Sequence, residues 1–130
     1  MIYFDSSFLA DYLRGREYTK TFIAARDEAA FFTTSVVLFE LCYGALKHPS
    51  PTKTLQTVNE NVDWLTIDGF DAEAASEAAT IRAELRDEDA VLSVADVLIA
   101  GSVRSVDGTL VTSDADFDRV AELDVHLMSR

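Results

Sequence analysis

Five acidic residues stand beside apolar runs: Asp5 in MIYFDSSFL, Glu40 in SVVLFELCYG, Asp96 in LSVADVLIAG, and Asp114 with Asp116 in TLVTSDADF. Each run should be buried, so carboxylates far apart in sequence are carried to the edge of one core. Carboxylates gathered in this way repel one another, and a hard, oxygen-seeking dication relieves that strain. Each acid also has a simpler use. Asp5, Asp114 and Asp116 fall where helices begin, and Ser93-Val94-Ala95-Asp96 fits a capping box in which Asp96 reaches back to the Ser93 amide. Glu40 is different, because it interrupts Val36-Val37-Leu38-Phe39 and Leu41-Cys42-Tyr43 in mid-helix, where nothing can be capped. A lone buried carboxylate there costs several kcal/mol unless it is paired or metal-bound. Its alternative is a narrow solvated stripe shared with Lys47.

The elements that must position these acids alternate along the chain. Short apolar or β-branched runs at 1–4, 31–34, 64–67, 109–112 and 125–128 predict strands. Helical stretches are expected at 6–14, 17–28, 36–47, 52–62, 71–87, 94–105 and 115–121, with Pro49-Ser50-Pro51 separating the third from the fourth. Strand runs that are apolar without alternating imply cover on both faces. The expected fold is therefore α/β, a three-layer α/β/α sandwich around a mainly parallel sheet of about five strands. In such a sheet, ligands bind outside the carboxyl ends of the strands. Asp5 directly follows the first strand and Asp114 follows the fourth by two residues, which puts both at that edge.

Composition sets the scene for this chemistry. The 130 residues are 48% hydrophobic, enough for one domain spanning 1–130 with a real core. No apolar run approaches the roughly 18 to 20 residues of a membrane span, and the start has no basic signal-peptide region, so a soluble, cytoplasmic protein is expected. Cys42 is the single cysteine and is expected to be a buried thiol. A net charge of −12 opposes binding to a polyanion. Lysine is confined to Lys20, Lys47 and Lys53, however, which suggests a surface adapted to high salt, with an ordinary acidic cytosolic domain as the equal alternative.

The motifs D-S-S-F-L after the first strand, E-L-x-x-G in the third helix, A-D-x-L-I-A opening a later helix and L-V-T-x-D-x-D-F after the fourth strand form an ordered set. Together they resemble the PIN-domain ribonucleases, in particular the VapC toxins of toxin–antitoxin pairs, over essentially the whole chain. The resemblance implies an acidic quartet, Asp5, Glu40, Asp96 and Asp114, that binds Mg²⁺ or Mn²⁺, with Asp116 assisting or replacing Asp114. Ser7 and Thr112 match hydroxyl positions beside that site, where orienting a carboxylate competes with plain capping and strand-end bonding. The implied reaction is endonucleolytic hydrolysis of an RNA phosphodiester, leaving a 5′-phosphate and a 3′-hydroxyl, with a tRNA or rRNA as substrate. A cognate antitoxin and a homodimer are the implied partners.

Gripping RNA on an acidic protein needs local cations, and Arg14, Arg16, Lys20, Arg82 and Arg86 lie near helix ends or faces that could border the site. Phe22, Ile23, Phe31, Phe39, Leu41, Tyr43 and Leu46 exceed what a small helix pair hides, which predicts an exposed groove, with ordinary core as the alternative. Other classes fit less well. A receiver-like domain using Asp68 would need a lysine late in the chain, and none follows Lys53. A haloacid-dehalogenase-type phosphatase would need an aspartate where Ser7 stands. A stand-alone RNA-processing nuclease or a non-catalytic binding module remains open.

Overall fold

The computed structural model describes residues 1–129. Five strands, β1 (Ile2–Phe4), β2 (Phe32–Thr34), β3 (Thr66–Asp68), β4 (Thr109–Thr112) and β5 (Asp124–Leu127), form one sheet in the order β3-β2-β1-β4-β5. Every neighbouring pair is parallel. Six helices flank it: α1 (Ser6–Leu13), α2 (Glu17–Ala24), α3 (Ser35–Leu46), α4 (Pro51–Asn61), α5 (Ala72–Asp87) and α6 (Val94–Arg104). The architecture is the expected α/β/α sandwich.

The order of the strands decides where a ligand can sit. From β1 the chain winds outward through β2 to β3, then crosses back to place β4 on the other side of β1. The crevice between β1 and β4, at their carboxyl ends, is the switch point at which open α/β sheets bind ligands. Phe4 pairs with Val111 there, and the Asp5 amide donates to the Val111 carbonyl at 3.2 Å. The loops after these two strands are therefore held side by side.

Strand burial follows position in the sheet. Phe4, Leu110, Val111 and Thr112 are fully buried, whereas β3 and β5 at the edges are largely exposed. Cover on both faces thus holds for the central strands alone. The helices start on short polar caps: Asp5, Thr34 and Asp71 accept from the amides of Phe8, Val37 and Ala74. Gly101 brings α6 hard against α5, because a Cβ at that position would lie 2.6 Å from the Ala78 Cβ. Arg104, nearly buried, ties the same pair together through Glu77 (2.6 Å) and Glu84 (2.9 Å) and donates to the Ala121 carbonyl (2.8 Å).

Several sequence expectations shift. The helix expected at 115–121 is a 3-10 turn, Ala115–Arg119, whose five residues carry two acids, Asp116 and Asp118, directly behind the capping Asp114. Helix α2 ends at Ala24 rather than at 28, where the polar run Arg26-Asp27-Glu28 has no apolar face to bury. The strand expected at 64–67 is Thr66–Asp68, with Trp64 instead donating its indole N–H to the Asn61 carbonyl. Cys42 is half-buried rather than buried.

Candidate active site

Asp5 is the most constrained of the acids. At 2% exposure its carboxylate accepts from the Phe8 amide (3.0 Å), from the Ser7 hydroxyl (2.9 Å to Oδ1) and from the Thr112 hydroxyl (2.5 Å to Oδ2). Capping and side-chain orientation are thus carried by one residue, and both flanking hydroxyls point at it. Burial pushes the Asp5 carboxyl above its ordinary pKa; the three donors oppose that shift and the nearby Asp114 charge adds to it.

Glu40 projects from α3 and is half-buried, its carboxylate accepting from the Ser6 hydroxyl at 2.9 Å. Its pKa is raised by burial, lowered by Ser6, and raised further by the charges of Asp96 and Asp5. Lys47, two turns on, is exposed with its ammonium over the Tyr43 ring at 4.7 Å. Asp96 is half-buried in the first turn of α6. Half of the expected capping box is present, the Ser93 hydroxyl accepting from the Asp96 amide at 3.2 Å. Burial again raises the Asp96 pKa, Ser93 lowers it, and Asp114 and Asp116 raise it.

Asp114, half-buried, accepts from the Asp116 amide at 2.9 Å and donates its own amide to the Thr112 hydroxyl at 3.0 Å. Asp116 is exposed and pairs with Arg119 at 3.6 Å. The tertiary fold therefore puts Asp5, Glu40, Asp96 and Asp114 within one electrostatic neighbourhood, drawn from the cap between β1 and α1, from α3, from α6 and from the loop after β4. Among the described residues no three acidic, histidine or cysteine side chains converge closely enough to hold a metal ion as they stand. In kind the set fits a hard cation, because every donor is a carboxylate oxygen with hydroxyls alongside. Three of the four acids are raised in pKa, partly by one another, so a dication would relieve real repulsion.

Comparison with known proteins settles the family. The PIN domain model matches residues 2–123. The chain belongs to the PIN-domain family. Among named relatives, it is 36% identical over 91 residues to the tRNA(fMet)-specific endonuclease VapC of Shigella flexneri, covering 69% of each chain. A Salmonella typhimurium protein of the same name is 33% identical over 88 residues, 67% of each chain. Both place it in the VapC branch. In fold it is similar to a chain of the VapBC2 crystal structure from Rickettsia felis, bound to a promoter DNA fragment, with a TM-score of 0.90 at 22% identity over 99% of this chain and 100% of that one. DNA-bound VapBC from Salmonella typhimurium gives a TM-score of 0.86 at 24% identity, over 96% of each chain.

The cationic residues of this PIN domain are scattered. Arg14 lies at a groove of about 720 Å³ between α1, α3 and α4, whose wall includes Ser6, Ser7, Glu40 and His48. Arg14 is exposed and reaches the buried Asp11 at 3.4 Å. Arg16 lies 6.0 Å from the Tyr18 ring, and Lys20 lines a separate hollow with Tyr12 and Trp64. Arg82 and Arg86 line a cavity of about 180 Å³ beside Asp89 and Val91, formed by the end of α5 and the loop before α6. Of the apolar surplus, Phe22 and Leu41 belong to the core and Ile23 and Phe31 pack against it, while Phe39, Tyr43 and Leu46 stay exposed.

Two polar residues of the PIN domain were not singled out from sequence. Ser6 holds Glu40, and Ser113 donates to the Ser7 hydroxyl through both its own hydroxyl (3.1 Å) and its amide (3.3 Å). Ser6 stands inside the D-S-S-F-L motif and was a recoverable signal. Its partner is thirty-four positions away, so nothing local marks the contact.

Proposed function

We propose that this PIN domain is a Mg²⁺- or Mn²⁺-dependent endoribonuclease, the toxin of a type II toxin–antitoxin pair. What supports the reading is the electrostatic influence within the set Asp5, Glu40, Asp96 and Asp114, whose charges raise the carboxyl pKa values of Asp5, Glu40 and Asp96 on top of burial. The VapC names of its relatives support it. A hard dication held by Asp5, Glu40, Asp96 and Asp114 would polarise a phosphoryl oxygen and lower the pKa of a bound water. The chain's own part is to hold those carboxylates ready. Ser7 and Thr112 fix the Asp5 carboxylate, and Ser6 fixes Glu40. Asp116 is the exposed reserve acid, and either it or Asp114 orients the attacking water. A single-stranded or looped RNA, from a tRNA or rRNA, suits a site at a loop edge better than duplex.

The groove beside Glu40 supports a protein partner. An antitoxin segment lying along it could bring a basic side chain to the acids and displace the ion. Pairing as a homodimer and residence in the cytoplasm belong to the same reading; among the described residues, no helix is long and apolar enough to cross a membrane. Arg14, at the groove mouth, is the best placed of the proposed RNA-gripping cations, ahead of Arg16, Arg82 and Arg86. A non-catalytic binding module is the competing reading.

Incubation of purified protein with folded tRNA and rRNA fragments in Mn²⁺ separates the two. The nuclease reading expects cleavage that falls about 100-fold or more in Asp5→Ala and Asp96→Ala. Absence of cleavage at any salt concentration, with both variants matching the parent, leaves the binding-module reading.

A further inference from the structure

The Ser7 hydroxyl is more fully engaged than orienting Asp5 requires. A serine hydroxyl has one proton to donate and two lone pairs with which to accept. The Ser7 proton faces both Asp5 oxygens, at 2.9 Å and 3.0 Å. Both lone pairs are taken by one residue, Ser113, whose hydroxyl donates at 3.1 Å and whose amide donates at 3.3 Å. With its lone pairs filled, Ser7 is left with its proton for Asp5, which is nearer than the Thr112 oxygen at 3.4 Å. Thr112 repeats the arrangement, accepting from the Asp114 amide at 3.0 Å and donating to Asp5 Oδ2 at 2.5 Å. Two hydroxyls thus bridge the Asp5 carboxylate to consecutive amides at the start of the loop that carries Asp114. The donors Phe8, Ser7 and Thr112 occupy three of about four lone-pair sites on Asp5, which leaves roughly one open.

We propose that Ser113 is a positioning residue for the metal site, acting on Asp5 through Ser7. The role rests on the metal-dependent reading above, because what Ser113 fixes is how Asp5 presents its open lone pair to a divalent ion. The hydrogen bonds run in one direction, from Ser113 to Ser7 to Asp5, and end on a carboxylate, so each bond polarises and strengthens the next. Water does little to weaken them, since Asp5 is buried and both serines are half-buried. Without the Ser113 hydroxyl, one Ser7 lone pair is empty and the Ser7 rotor is no longer held. Asp5 then keeps two firm donors instead of three, and the direction of its open lone pair is no longer set. Ser113 also directly precedes Asp114, so the same bridge couples the placement of one candidate ligand to that of another.

Titration calorimetry with Mn²⁺ alone, on the full chain and without RNA, measures the effect. Ser113→Ala should weaken Mn²⁺ binding about 10-fold, and Ser7→Ala by about 10- to 100-fold. Because Ser113 acts through Ser7, the double variant Ser7→Ala/Ser113→Ala should bind no more weakly than Ser7→Ala alone. Ser113→Thr keeps a hydroxyl and should retain parental affinity, whereas Ser113→Val, of the same shape without it, should lose affinity as Ser113→Ala does. Equal affinities for the Thr and Val variants overturn the proposal, and so do additive losses in the double variant. Melting curves in chelator separate positioning from simple bracing of the loop: a Ser113→Ala protein that melts lower yet binds Mn²⁺ like the parent also overturns it. Cleavage assays on the parent keep the two readings apart. A parent that cleaves RNA and binds Mn²⁺, with Ser113→Ala unchanged in affinity, loses the role of Ser113 only. A parent whose Mn²⁺ affinity depends on Ser113 through Ser7 but which never cleaves loses the nuclease reading only, and one that neither binds Mn²⁺ nor cleaves loses both.

Discussion

Asp5, Glu40 and Asp96 all have carboxyl pKa values raised chiefly by burial. A carboxyl whose folded pKa exceeds its unfolded value binds its proton more tightly when folded. Its stabilising contribution is complete below the ordinary carboxylate range and is lost as pH rises through the raised value. Without divalent ions, the melting temperature should therefore fall between about pH 4 and neutrality, and Asp5→Asn should flatten that slope. Scanning calorimetry across this range in chelator checks it; equal slopes for parent and variant would detach Asp5 from the effect. Added Mg²⁺ should recover stability at neutral pH in the parent more than in the variant. Ser6 gives a second residue-scale expectation. Residues that hold ligands in place typically change metal affinity by about 10- to 100-fold, so Ser6→Ala should weaken Mn²⁺ binding by that order in titration calorimetry. An unaltered isotherm would make the 2.9 Å bond to Glu40 incidental.

At the scale of elements, the site depends on two junctions. The first is the parallel pairing of β1 with β4, which sets the loop carrying Asp114 beside Asp5. The second is the packing of α6 on α5, which fixes where Asp96 begins its helix. Gly101 is the tight point of that second junction, with Ala78 backbone atoms 2.7 Å from where a Cβ would sit. Backbone cannot yield as a flexible side chain does, so Gly101→Ala should cost about 1–3 kcal/mol in urea unfolding. Gly44 in α3 has open space around it, and Gly44→Ala should instead add about 0.5–1 kcal/mol through helix propensity. The contrast matters more than either value: similar effects at both sites would mean that close packing of α5 and α6 is not what holds Asp96. Helix-forming pattern, caps and breakers announced nearly all of these elements. The 3-10 turn at 115–119 escaped because two acids in five residues, behind a third at the cap, weaken a helix that position alone would suggest.

Across the whole molecule, charge is the dominant feature. Twenty-three acidic residues against eleven Lys and Arg leave −12 on a small surface. Screening shortens the reach of that repulsion from about 10 Å at 0.1 M salt to about 3 Å at 1 M. The melting temperature should accordingly rise over this range of KCl, with most of the gain at the low end. A flat or falling curve in differential scanning fluorimetry would remove the case for adaptation to salt. The same charge explains why cations matter by location rather than number. Arg14 lines the groove whose wall includes Glu40, Lys47 lies over the Tyr43 ring, and Arg104 is consumed between Glu77 and Glu84.

The amino-acid sequence by itself determined the fold class, the order of the elements and the family. Apolar runs, caps and breakers are local signals, and the ordered acidic motifs kept their spacing through the chain. It also nominated Asp5, Glu40, Asp96 and Asp114, and Glu40 stood out because no cap could explain a carboxylate in mid-helix. Only the tertiary structure decided that Ser7 and Thr112 both turn onto Asp5 and that Ser6 reaches Glu40. It also decided which aromatic residues stay outside the core, sending Phe22 inward and leaving Phe39 and Tyr43 exposed. The reason is range. Periodicity and capping act over a few residues, whereas Ser6 to Glu40 and Asp5 to Thr112 join positions that meet only once β1, β4 and α3 have packed.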